Sequence, residues 1–124
     1  MVVIANVASQ LKTENAYTDG YITDTNCEYL IDNAIDYINL VAGTSIADLS
    51  GAAGSKTLTA TEAELSAIKT LTGLLLRAYK EKGGQAAIAG FSVQDAISDP
   101  HYNVFMELFN NSLKYLRGRA FERV

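Results

Sequence analysis

The chain has no tryptophan, one proline, one cysteine and one histidine among its 124 residues, and each scarcity removes a class of explanation. A lone cysteine, Cys27, cannot close an internal disulfide; on an apolar helical face it reads as a small buried hydrophobe in a reducing compartment. A lone histidine, His101, excludes a polyhistidine metal site within one chain, and a catalytic role for it would need a nucleophile and an orienting carboxylate beside it. Ser98 and Asp99 are its neighbours in sequence, and adjacency alone supplies no such geometry. No run approaches the roughly 18 apolar residues that span a membrane. The opening Met1–Ala5 is apolar but has no basic stretch and is soon interrupted by Asn6, Ser9 and Gln10, so it reads as no signal peptide. Cations are scarce in one half only. Residues 1–64 carry Lys12 and Lys56 against nine carboxylates, a balance of −7, whereas residues 65–124 carry eight Lys/Arg against five carboxylates, a balance of +3. Such polarity suits head-to-tail association, in which an acidic part meets a neighbour's basic part; equally, the charges can serve only to solvate separate helix faces.

What the chain does have is helical periodicity. Hydrophobic residues make up 48% of it and charged residues 19%, enough apolar matter for a single domain with its own core. Asn6 opens a short helix over 6–12 with Val7, Ala8 and Leu11 facing inward, and Asp19-Gly20 reads as a turn. The clearest stripe is Cys27, Leu30, Ile31, Ala34, Ile35, Ile38 and Val41, with Glu28, Asp32, Asn33, Asp36 and Asn39 on the opposite, solvated side. Thr25 and Glu28 have capping-box spacing, which predicts a helix from about Asn26 to a left-handed stop at Gly43. Residues 44–58, rich in Ser, Gly and Ala, form a connecting loop with room for one helical turn at 46–49. Thr59/Glu62 and Thr61/Glu64 are overlapping capping boxes that open a second long helix near Ala60, ending at Gly83-Gly84. Its apolar positions wrap most of the way round at Leu74–Leu76, which implies neighbours on several sides. Gly73 lies inside it at a cost of ~1 kcal/mol against alanine, which fits close approach by another backbone. Residues 85–98 read as an irregular packed loop, with a short extended segment as the alternative. Asp99-Pro100 starts the last helix, striped by Phe105, Leu108, Phe109, Ser112, Leu113 and Leu116, and residues 120–124 form a tail.

Candidate chemistry is thin. Gly51–Thr57 superficially resembles a phosphate-binding loop, but serine precedes Lys56, no buried strand feeds the segment and no helix follows directly; a flexible linker is the better reading. Asp32 and Asp36 stand four residues apart, as metal-binding carboxylates can, without a histidine or third carboxylate at helical spacing. Seven tyrosines (Tyr17, Tyr21, Tyr29, Tyr37, Tyr79, Tyr102 and Tyr115) include several at stripe margins, where their rings suit protein contacts or roof their own core. Lys114, Arg117, Arg119 and Arg123, with Phe121 among them, form a basic C-terminal cluster suited to docking. The acidic chain as a whole argues against DNA affinity as its main business.

The order of these pieces resembles the head–tail connector proteins (adaptor or head-completion proteins) of tailed double-stranded DNA viruses. The residues that carry the resemblance are Asp24 with Tyr29–Ile38, then Ala67-Ile68-Lys69 with Leu74–Lys82, then Ala89–Val93, and finally Leu113–Gly118. It covers about residues 7–119. The 44–58 connection is longer than that family's pattern, and the second helix opens with Thr-Ala-Thr-Glu where proline is common there.

The resemblance implies an all-α fold: a small bundle of three long helices plus a short N-terminal helix, an irregular loop before the last helix and an extended tail, with residues 1–119 as the connector domain and 120–124 as the tail. It also implies a dodecameric ring beneath the portal protein in the virion neck, made in the host cytoplasm and joined below by a further neck or tail-completion protein. The genome would pass through such a ring without sequence-specific binding. No enzymatic activity, cofactor, metal or membrane is implied, and the interface residues would be Lys114, Arg117, Arg119, Phe121 and Arg123. Two other readings stand beside it: a small helical partner-binding or regulatory module, dimeric through the same faces, and a metal-dependent hydrolase built on Asp32 and Asp36.

Overall fold

The computed structural model describes residues 1–15, 22–81 and 100–122, the side chains of 81, 101 and 117–122 excepted. The expected Asp19-Gly20 turn, the Gly83-Gly84 stop and the 85–98 loop lie outside the described residues, as does Asp99.

The architecture is a helical bundle with one small sheet. Val2–Ile4 forms strand β1, and α1 follows over Val7–Glu14. Helix α2 is Asp24–Ala42, strand β2 is Leu58–Ala60 and helix α3 is Glu62–Glu81. A single tight turn over Pro100–Tyr102 then leads into α4, Asn103–Glu122. The sheet departs from a purely helical plan. The β-branched Val2-Val3-Ile4 run is a strand former, and it pairs antiparallel with β2 in the register Val2–Ala60, Val3–Thr59, Ile4–Leu58. Leu58 and Ala60 point into the core, while Val3 and Thr59 face outward.

The helix starts follow local hydrogen bonding. The cap of α2 is Thr23, whose Oγ1 accepts from the Asn26 N–H at 3.1 Å, so the helix begins two residues earlier than the Thr25/Glu28 spacing suggests. The box at Thr25 fails because Glu28 is engaged elsewhere. Gly43 closes α2 in the left-handed conformation (φ 69°), as its sequence position predicts. The Thr61/Glu64 box forms in full: Thr61 N–H donates to Glu64 Oε1 at 2.9 Å and Glu64 N–H to Thr61 Oγ1 at 3.2 Å. Its rival at Thr59 does not form, since Thr59 and Ala60 belong to β2; α3 therefore opens at Glu62. Pro100 begins the tight turn rather than the α-helix itself. The backbone of α4 stays helical through Ala120, Phe121 and Glu122, past the boundary expected at 119.

The core is one cluster. Leu30, Ile31, Ala34, Ile35 and Ile38 of α2 meet Ile68, Leu71, Leu74 and Leu75 of α3 and Phe109, Leu113 and Leu116 of α4. Each fully buried leucine or isoleucine contributes about 1.5–3 kcal/mol relative to exposure. Tyr37 of α2 packs on Phe109 of α4 with ring centroids 6.1 Å apart. Helix α3 is buried on every side between Leu71 and Leu76, because α1, α2 and α4 all contact it. Gly73 admits a side chain, not a backbone: a Cβ there would stand 3.0 Å from Asn15 Oδ1, the atom that accepts from Arg77 Nη1 at 3.0 Å. Leu108, placed in the core by its periodicity, is 54% exposed. Phe105 and Phe109, from the same expected stripe, do face the core.

Candidate functional site

Helix α2 has two polar jobs, and only one is solvation. Glu28, expected on the solvated side, is 2% exposed. Its carboxylate receives two backbone donors, Gly54 N–H on Oε1 at 2.8 Å and Lys56 N–H on Oε2 at 2.9 Å. One turn on, Asp32 Oδ1 accepts from Leu49 N–H at 3.0 Å. Asn39 completes the row: its Nδ2 donates to Ile46 O at 2.9 Å, and its Oδ1 accepts from Ile46 N–H at 2.9 Å and Thr44 Oγ1 at 2.8 Å. Residues 44–57 are thus clasped along α2 rather than loosely linking two helices. No helical turn forms at 46–49, where Ile46 and Leu49 are instead pinned by their amides and buried by their side chains.

The likeness of Gly51–Thr57 to a phosphate loop has a physical basis. Ser50 and Thr57 form a bridge, with Ser50 N–H to Thr57 O at 3.1 Å and the return bond at 2.7 Å. Gly51 and Gly54 turn the chain at φ 107° and 91°. Amides converge on an anion, as in a phosphate cradle, but the anion is the chain's own Glu28.

Of the Asp32/Asp36 pair, only Asp32 is occupied in the same way; Asp36 is exposed and meets Asp48. Burial, with Asp48 and Asp36 nearby, raises the Asp32 pKa above its ordinary value, opposed by the Leu49 amide and Lys56. Burial also raises that of Asp36, helped by the charge of Asp48 and a hydrogen bond with it. Among the described residues no group of three or more His, Cys, Asp or Glu is placed to hold a metal ion. Cys27 is fully buried, its Sγ 3.8 Å from Ala8 O, and burial pushes its thiol up to about 12; this is the inert end of thiol chemistry.

Lys114, Arg117 and Arg119 of the basic C-terminal cluster sit on α4. Lys114 is exposed. Arg117, Arg119 and Phe121 occupy later turns of the same helix, their side chains outside the described residues, as is Arg123. His101 lies in the Pro100–Tyr102 turn, its side chain likewise undescribed. Of the tyrosines, Tyr79 and Tyr102 are buried, Tyr37 is half-buried, and Tyr29 and Tyr115 are exposed; Tyr17 and Tyr21 lie outside the described residues. An open groove of about 730 Å³ runs between β1, the start of α3 and α4, lined by Met1, Val2, Thr61, Ser66, Asn111 and Tyr115 among others. Hydroxyls, amides and apolar atoms dominate it, and among its described lining residues Glu62 is the one carboxylate. Such a lining suits docking better than proton transfer.

Comparison with protein-family models, with curated proteins and with solved structures returns no match. Among the described residues no helix is long and apolar enough to cross a membrane.

Proposed function

We propose that this chain is a structural connector: a helical subunit that assembles into a ring beneath the portal of a tailed double-stranded DNA virus and extends the channel between head and tail. One observation carries the reading. Glu28, Asp32 and Asn39 of α2 hold the chain's own backbone, and the bundle turns outward large apolar side chains: Leu40 on α2, and Val104, Leu108 and Tyr115 on α4. Apolar residues exposed in a row along a helix suit contact with another protein surface. The ordered resemblance of the helices to connector proteins supplies the kind of surface, a portal ring and sibling subunits. The acidic first half and basic second half support subunits that meet front to back, the arrangement that closes into rings.

In this reading the Lys114–Arg123 stretch docks on the portal, and the clasped 44–57 segment keeps the outer wall of the subunit rigid. Light scattering on this chain mixed with purified portal rings tests it. Comigration at a fixed ratio of chains to portal subunits is expected, weakened by an Arg117→Ala/Arg119→Ala variant that keeps its helical circular dichroism. A chain that never comigrates with portal would refute the assignment.

A further inference from the structure

The loop that receives Glu28 is shaped by bonds in which Glu28 takes no part. Ser50 and Thr57 exchange backbone hydrogen bonds at 3.1 and 2.7 Å, and Ser55 N–H donates to Ala52 O at 3.0 Å. Val7 N–H donates to Lys56 O at 3.2 Å, which ties the far end of the loop to the start of α1. Leu49 before the loop and Leu58 after it are both anchored in the core. Gly51 and Gly54, at positive φ, supply the turns.

The amides of Gly54 and Lys56 are thereby set around one point. Each takes a different oxygen of a single carboxylate, at 2.8 and 2.9 Å, and the residue that carries it is 2% exposed. Among the described residues no cation stands at ion-pair distance from Glu28. The negative charge is met by backbone dipoles, which recognise a planar carboxylate whatever chain carries it. We infer that residues 50–57 form a preshaped site for a small monocarboxylate, filled in this chain by the Glu28 side chain acting as a tethered ligand. Tethering sets the preference, because a group held beside the loop outcompetes a free ion through its effective concentration. Shortening position 28 opens the site to free ions. Alanine there removes Cγ and the carboxylate, the heavy atoms of one acetate ion, and leaves two amides without their acceptor. Acetate and formate match that space and both donors. Phosphate does not, since its tetrahedral oxygens outnumber the donors and exceed a planar slot. This site stands independently of the connector reading.

Thermal unfolding of the full chain and of Glu28→Ala, in sodium chloride, formate, acetate and phosphate at matched ionic strength, tests the assignment. In ~0.3 M acetate or formate the variant is expected to unfold about 4 °C higher than in chloride, beyond any shift of wild type between the same salts. Its Gly54 and Lys56 amide signals in nitrogen-correlated NMR spectra should titrate with acetate toward their wild-type positions. For a variant unfolded in chloride, folding on addition of acetate is the corresponding result. Formate and acetate acting on the variant no more than on wild type would overturn the inference, as would a variant that stays unfolded in both. Phosphate outperforming acetate would overturn the carboxylate class.

Discussion

Helices α2 and α4 are nearly equal in length and both carry polar residues beside an apolar stripe, yet their polar residues do opposite things. On α2, Glu28, Asp32 and Asn39 turn toward the following segment and satisfy its amides. On α4, Glu107, Asn110, Asn111 and Lys114 are all exposed. The difference follows from what comes next in the chain. A Ser/Gly/Ala segment has few side chains to bury and many backbone donors to satisfy, so the helix beside it provides the acceptors. The result is a polar seam inside the molecule on α2 and a presented surface on α4.

The largest expected effect falls on that seam. Glu28→Ala removes a buried acceptor from two amides and should cost about 3 kcal/mol in chemical denaturation, with faster hydrogen exchange at Gly54 and Lys56. Glu107→Ala, the same change on α4, should cost less than about 0.5 kcal/mol. Equal losses at the two sites would erase the contrast. Asn39→Ala should follow at about 2 kcal/mol, since three hydrogen bonds end on that amide and none is fully shielded from water. Thr72 sharpens the comparison from the core side. Its hydroxyl is buried with no partner among the described residues, so Thr72→Val should raise stability by about 1 kcal/mol, and a loss would reveal a bond to the rest of the chain.

The smallest effect is electrostatic. The carboxyl groups of Asp32 and Asp36 are raised above 3.8 in the folded chain, chiefly by burial and then by Asp48. Just above pH 3.8 the folded state therefore holds more protons at these sites than the unfolded one. Their contribution to stability is full below that pH and is lost as pH rises through the folded values. Asp36→Asn should flatten this part of the Tm–pH profile and leave Asp36-independent acid unfolding in place. An unchanged slope would show that the Asp36–Asp48 contact does not persist in solution.

The helices were legible in the sequence because period and capping are local properties. The stripe of α2, its Gly43 stop and the Thr61/Glu64 box could each be read within a few residues. Three things could not, because each depends on a distant partner. Val2–Ile4 is a strand only when Leu58–Ala60 lies beside it. Glu28 looks like a capping residue until the chain returns 26 residues later to bring Gly54 onto it. Leu108 fits the helical period of the core, yet of that stripe it is Phe105 and Phe109 that pack inward while Leu108 stays 54% exposed. A signal for the seam did exist. Acceptors at 28, 32 and 39 line one edge of a helix that precedes a glycine-rich stretch unable to build a core of its own. Of the proposed interface residues, the described side chain, Lys114, is exposed on α4, where helical spacing alone would place it.

The central proposal is that the outward apolar side chains of α2 and α4 serve to join subunits at a viral vertex. Localised cryo-electron microscopy of the neck of a particle that encodes this chain addresses it most directly. The account predicts a ring of subunits under the portal into which this bundle fits. A neck complete without this chain would contradict it.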